Sequence, residues 1–314
     1  MQKVGYVYDD LMLLHQADYD HEECPDRIVI IKKKLESLGY LNKMIKIPSC
    51  YITGEELLLA HDKRFIEKLE KVFLTPEKNI KAHFEKYNSM YANKSSLTSA
   101  KVAAGSSLNL FKSILNGEIN HGIGIIRPPG HHCSKTACSG FCMFNNIAIC
   151  ARYGLGIGKR VAVIDFDVHY FDGSANILKH DTNVLAISIH RYDYGKFYPG
   201  TGKAMDTYNL LSIPINGTAY DEDYYKIFNE KVIPKLAKFN PDIILVSAGL
   251  DAAEGDPLGG FHLTPTCYYN MTKMLLSFGK PVMLVLEGGY NLTSISNSMA
   301  ECTRALLEDV MKTI

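Results

Sequence analysis

The stretch Asp-Phe-Asp-Val-His, residues 165–169, sets a carboxylate and an imidazole at positions i and i+2. Side chains two apart in an extended chain project to one side, so Asp167 and His169 are candidates for two ligands on one metal ion. A lone D-x-H is more readily a strand end whose carboxylates cap a helix. A third ligand changes that reading, and Asp251, in SAGLDAAEGDPLGG, follows another apolar run and completes an Asp–His–Asp set. Three protein ligands leave one coordination position open, the pattern of catalytic zinc. Two carboxylates and a neutral imidazole balance the charge of Zn²⁺, and oxygen-rich ligation keeps the ion electrophilic toward a carbonyl.

Adjacent histidines, His131 and His132, stand behind Pro128, Pro129 and Gly130 in IRPPGHHCSKTACSGFCMFNN. Neighbouring side chains of an extended chain diverge, so both imidazoles serve one site only where the turn is specially shaped. Two prolines that fix φ and a glycine free of a Cβ suit such a turn. Beside a metal the pair supplies a base for a water and an acid for a departing amine. Asp165 and Asp172, near the ligands in sequence, are candidates to bond the far imidazole nitrogens. In EGGYN, Tyr290 follows Gly288 and Gly289 and is a candidate hydrogen-bond donor to a developing oxyanion.

A scaffold must gather these groups, and the apolar pattern describes one. Short β-branched runs recur at GIGIIR, 161–167, 184–190, 242–251 and 282–290, continuous enough to be strands buried on both faces of a parallel sheet. Helical patterns lie between them, near 145–153, 220–238, 265–278 and 292–308. A further stripe of Ile28, Ile31, Leu35 and Leu38 marks a helix near the N-terminus, with Lys32 to Lys34 on its solvated side. The alternation predicts one α/β domain over residues 1–314, with helices on both faces of a mainly parallel sheet. In such sheets ligands bind at the carboxyl ends of the strands, where the polar residues named above cluster.

The chain carries 34 Lys+Arg against 34 Asp+Glu, a balance that gives no global reason to expect nucleic-acid or membrane-surface binding. The start MQKVGYVYDD has no apolar signal core, and no run approaches a membrane span. Eight cysteines without a secretion signal read as reduced thiols, and no CxxC pair completes a structural zinc site. The expected compartment is cytoplasmic or nuclear, and the sequons at Asn93, Asn216 and Asn291 read as chance matches.

In this order, RPPGHH, GFCMFNN, IDFDVH, ISIHRYDYGKFYPGTG, SAGLDAAEGDPLGGFHLTP and LEGGYNLTSISNSMAECTRALL resemble the arginase-like, zinc-dependent histone deacetylase family. HEECPDRI resembles that family's first loop, and the likeness runs from about residue 5 to 308, weakest near 73–96. DAAEGDPLGG and EGGYNLTSIS are most similar to class IIb, the branch of the tubulin and acetylpolyamine deacetylases. The resemblance implies a single domain around an eight-stranded, mainly parallel sheet, and hydrolysis of an N-acetyl amide to acetate and a free amine. It makes Asp167, His169 and Asp251 the zinc ligands, His132 the principal base and then acid, His131 its electrostatic partner, and Tyr290 the group polarising the acetyl carbonyl. It sets Phe141, Tyr198 and Gly140 along the channel for the substrate's aliphatic stem. It also implies structural K⁺ held by Asp165, Asp167, His169, Ser188 and Ile189, partly through backbone carbonyls.

Departures from the family pattern bear on the loops. Tyr170 and Phe171 stand where His-Gly is usual, Asp172 where class II members usually carry asparagine, and Tyr198 where phenylalanine is usual. Phe171 is expected to reshape the loop beneath the histidine pair, and Asp172 to make His132 more basic. Leu258 occupies the position where the polyamine-specific branch carries glutamate, which favours acetyl-lysine in a peptide or protein as substrate. Small acetylated amines, polyamines among them, are the alternative. Glu22 and Glu23 are expected near the rim, and Ser89 resembles a class IIb serine that bonds a substrate backbone amide.

Overall fold

A computed structural model describes residues 3–311. Nine strands form one sheet: β1 (Val4–Val7), β2 (Ile45–Lys46), β3 (His121–Gly124), β4 (Val161–Asp165), β5 (Val184–Arg191), β6 (Met205–Asp206), β7 (Leu210–Ile215), β8 (Ile243–Ala248) and β9 (Val282–Leu286). Their order is β2-β1-β3-β9-β8-β4-β5-β7-β6, and every pairing is parallel except β6 with β7. The count is nine where eight were expected. The two outermost strands, β2 and β6, are only two residues long, and β6 folds back antiparallel on β7. Short edges of this kind offer little unpaired backbone to a neighbouring chain.

Every residue of β3, β4, β8 and β9 is buried. Alternate residues point to opposite faces, so a strand buried throughout is covered on both. The helices Ser96–Leu115 and Asn146–Gly156 pack together and against β3, β4 and β8; Asp26–Ser37, Pro265–Leu276 and Leu292–Met311 form a second group. In the last of these, Ile295, Met299, Ala305 and Leu306 are fully buried, as their spacing predicts. In the first helix Ile28, Ile31 and Leu35 are buried, while Leu38 lies just past its end and is 43% exposed.

The predicted helix over 220–238 is interrupted. Asp221–Ile227 passes into a wider π-type turn, Phe228–Val232, before Ile233–Phe239 resumes. Pro234 accounts for the widening, because its ring cannot donate to the preceding turn. The 20-residue helix Ser96–Leu115 carries no clear apolar stripe in sequence because it is buried on most of its circumference. At Gly105 a Cβ would lie 2.3 Å from the Cys50 carbonyl oxygen, so only glycine lets that segment cross the helix. All eight cysteines are free thiols, six of them buried. Among the described residues no helix is long and apolar enough to cross a membrane.

Candidate active site

The strands stop earlier than their apolar runs suggest. β4 ends at Asp165, β8 at Ala248 and β9 at Leu286, so Asp167, His169, Asp251 and Tyr290 sit in irregular backbone beyond the sheet. The extended geometry expected of D-x-H is therefore absent. Successive turns replace it: Asp165 Oδ1 accepts from the Asp167 amide at 3.1 Å, and Asp167 Oδ1 accepts from the His169 amide at 2.9 Å. Aspartate side chains that bond backbone two residues on build such turns, and here they fold His169 back over Asp167.

His169 Nδ1 lies 2.9 Å from Asp167 Oδ1 and 3.0 Å from Asp251 Oδ2. The other carboxylate oxygens are held by backbone, Asp251 Oδ1 by the Val168 amide at 2.7 Å and Asp167 Oδ2 by the Gly288 amide at 2.9 Å. The three donors lie within 4.8 Å of one another and all three residues are buried. A tetrahedral ion with bonds of about 2.1 Å separates its ligands by about 3.4 Å, so the observed spacing needs only a small expansion. Burial, with the neighbouring Asp167 charge, pushes Asp251 up to about 7, and burial pushes Asp165 up to about 6. A cation among these oxygens relieves that cost. The donor set fits a divalent metal ion.

The Pro-Pro-Gly turn is shaped by Glu287, whose Oε2 accepts from the Gly130 and His131 amides at 2.6 and 3.0 Å. Both imidazoles therefore face one site, their ring centroids 4.1 Å apart. His131 Nδ1 meets Asp165 Oδ2 at 3.1 Å, and His132 Nδ1 meets Asp172 Oδ1 at 2.6 Å, so each expected carboxylate finds its imidazole. Burial disfavours a charge on either ring. At His131 the negative charges of Asp167 and Asp165 outweigh it and hold the pKa well above its ordinary value. At His132 burial and the charge of His131 prevail over the upward pull of Asp172, bringing it down to about 4.

A cavity of about 360 Å³ is lined by His132, His169 and Tyr290 together with Gly140, Phe141, Phe197, Tyr198, Leu258 and Ser89. Every channel residue expected from the sequence lies on it. Phe141 and Ser89 both have left-handed backbone, with φ of 67° and 51°, and the Phe141 amide donates to the Ser89 carbonyl at 3.2 Å. Strain of that kind persists where neighbours enforce it, and here it holds two loops as one wall. The Tyr198 hydroxyl is paired with Ser139 Oγ at 2.6 Å. Phe171 is fully buried and packs with Tyr170, Ala186 and Leu210, so its ring fills the sheet side of the loop without displacing His132 from Asp172.

The profile of the Histone deacetylase domain matches residues 21–306. The chain belongs to the histone deacetylase family. It is 38% identical to Histone deacetylase 5 of Arabidopsis thaliana, an alignment covering 98% of this chain and 49% of that protein. It is 33% identical to Polyamine deacetylase HDAC10 of Mus musculus, over 91% of this chain and 45% of that protein. The crystal structure of the HDA15 HD domain superposes with a TM-score of 0.92 at 34% identity, covering 98% of this chain and 88% of the other. The chain spans about half the length of the curated relatives it matches.

Several residues that support this deacetylase-family site were missed in sequence. Phe197 stacks on the His169 ring, centroids 5.1 Å apart. Asp256 accepts from the Tyr290 and Leu258 amides at 2.7 and 2.9 Å, tying the phenol's backbone to the channel mouth. Arg27 donates to the Gly289 and Glu287 carbonyls at 2.6 and 2.5 Å, and its guanidinium lies 4.9 Å from the Tyr290 ring centroid. Glu23 is away from the rim, fully buried between Arg27 and Arg127; only Glu22 lines the cavity. An Arg four residues after a Glu was the available signal, but it reads equally as a surface helix pair.

Proposed function

We propose that this chain hydrolyses an N-acetyl amide, N6-acetyl-lysine in a peptide or protein, to acetate and the free amine. The observation that carries the reading is a buried three-donor metal set whose His169 lines one cavity with His132 and Tyr290, with His131 packed on His132 behind it. Asp167, His169 and Asp251 would hold the ion, and their nitrogen and oxygen donors suit zinc. Bound there, zinc supplies Lewis acidity toward a carbonyl oxygen and toward water.

The remaining work falls to the protein's own groups. His132 Nε2 takes a proton from the attacking water and returns it to the leaving amine, its Nδ1 oriented by Asp172. His131, its pKa held up by the carboxylates of Asp165 and Asp167, stabilises negative charge beside it. Burial keeps the Tyr290 hydroxyl protonated far above neutrality, so it can donate to the carbonyl oxygen as charge develops there. Phe141, Phe197 and Tyr198 confine the aliphatic stem and exclude water, and Gly140 leaves room beside His132. Ser89 is proposed to bond a substrate backbone amide at the mouth.

Asp165, Ser188 and Ile189, with backbone of Asp167 and His169, are proposed to hold K⁺. Supporting this, Asp165 and Ser188 are register partners across β4 and β5, both buried. The class IIb placement rests on DAAEGDPLGG and EGGYNLTSIS. Acetylated polyamine is the second reading, and Leu258 gives it no counter-charge at the position where the polyamine-specific branch carries glutamate. The test is metal content together with initial rates on an acetyl-lysine peptide, N-acetylputrescine and N-acetylspermidine. About one zinc per chain and faster turnover of the peptide are expected; a protein that neither retains zinc nor hydrolyses any of the three refutes the assignment.

A further inference from the structure

Adjacent glutamates meet opposite fates in the loop before Asp26–Ser37. Glu23 turns inward, and the Tyr91 hydroxyl bonds both its carboxylate and its carbonyl, at 2.9 and 2.8 Å. His21 packs edge-on against Phe141 and Tyr91, with ring centroids 5.0 and 4.7 Å away, and its Nδ1 accepts from the Glu23 amide at 3.0 Å. Glu22 is therefore clamped from both sides. Its neighbour faces inward, so its own side chain stands exposed at the cavity mouth, near Ser89, Phe141 and Leu258.

Glu22 is the only carboxylate lining that cavity, and no lysine or arginine lines it, among the described residues. It makes no ion pair among them either. Lys81, which lines a separate cavity with Asp18 and Tyr19, is engaged by Asp18 at 2.7 Å. Asp20, exposed two residues away, adds to the negative charge of the loop. Leu258, on the same cavity, offers no charge of its own. The lining is thus negative at Glu22 alone, among the described residues.

We infer that Glu22 selects substrates that carry a second positive charge, a protonated amine or guanidinium, near the acetylated nitrogen. This deepens the deacetylase reading above and rests on it. A cation at the mouth gains the attraction of an unpaired carboxylate, while a neutral substrate of the same length gains nothing. An exposed pair of this kind changes relative kcat/KM by about fivefold, and salt weakens it. The same chemistry can come from a basic residue flanking acetyl-lysine or from the distal amine of a small diamine.

Two matched pairs test it: acetyl-lysine peptides flanked by arginine or by alanine, and N-acetylputrescine against N-pentylacetamide. The readout is the cationic-to-neutral ratio of kcat/KM for the native protein, Glu22→Gln and Glu22→Lys, at low and high salt. The ratio is expected to fall about fivefold in Glu22→Gln and further in Glu22→Lys, and the native ratio to shrink in high salt. A fall in the peptide pair assigns the charge to a flanking residue, and a fall in the small-amine pair assigns it to the substrate's own second amine. Ratios unchanged by both substitutions in both pairs overturn the inference while leaving the deacetylase reading standing. No turnover of any of the four by native protein overturns both.

Discussion

Replacing Glu23 by glutamine removes the anion from a fully buried cluster that holds two guanidinium groups. Glu23 accepts from Arg27 Nη1 at 3.0 Å, from Arg127 Nε and Nη2 at 2.9 and 2.7 Å, and from the Tyr91 hydroxyl at 2.9 Å. Glutamine keeps the shape, loses the charge, and turns an amide donor toward groups that are themselves donors. Breaking a buried ion cluster on one side costs about 3–5 kcal/mol, a large share of the about 5–15 kcal/mol typical of a whole domain. The assay is urea unfolding at pH 7 followed by circular dichroism, with native and variant sharing one slope. With Arg127→Met already in place only Arg27 is left unpaired, so the same substitution should cost at least about 1 kcal/mol less.

The pH dependence has a definite sign. Burial alone would raise the Glu23 pKa, but the charges of Arg127 and Arg27 hold it well below the usual carboxylate range. Unfolded glutamate titrates near about 4.3, so the stabilisation is fully present above that pH and fades below it, as the unfolded chain takes up a proton the folded one refuses. The stability gap between native and Glu23→Gln should be flat from about pH 5 to 8 and should narrow in more acid solution. A cost under about 1 kcal/mol at pH 7, or an equal cost in both arginine backgrounds, refutes the view that this cluster is held by charge.

Tyr290→Phe should lower kcat by about 10²–10³-fold with an unchanged urea midpoint; native-like turnover would remove the phenol from the mechanism. Gly288→Ala would set a Cβ 2.4 Å from Asp251 Oδ2 and 2.6 Å from Asp167 Oδ2, so zinc content after dialysis should drop sharply and activity by about 10²-fold, as for a misplacement near 1 Å. Retention of the metal at native affinity would show that these two carboxylates are not its ligands. Leu258→Glu should move the ratio of specificity constants toward N-acetylputrescine by about fivefold, and an unmoved ratio would discredit a role for that position in substrate choice.

The fold was legible because parallel strands buried on both faces leave continuous apolar runs that spacing alone reveals. β4, β8 and β9 lie within the runs predicted for them, and β5 overruns its own by one residue, Arg191. The strand ends were read too long, since Phe166 and Leu250 are as apolar and buried as any strand residue yet stand outside the ladders. The helix Ser96–Leu115 was not foreseen, because a helix buried nearly all round shows no polar face.

Residue types and motif order by themselves determined which side chains could serve as ligands, base and oxyanion donor, because few groups do that chemistry and each follows an apolar run. Only the tertiary structure decided how they meet. Asp167 and His169 converge through side-chain turns, and the histidine pair is aimed by Glu287, 156 residues away in the chain. Arg27 reaches the Gly289 carbonyl across 262 residues. Such partners leave no local periodicity, since a hydrogen bond depends on separation in space. For the same reason nothing in the pair Glu22–Glu23 foretold that one would be buried between arginines and the other left open at the mouth.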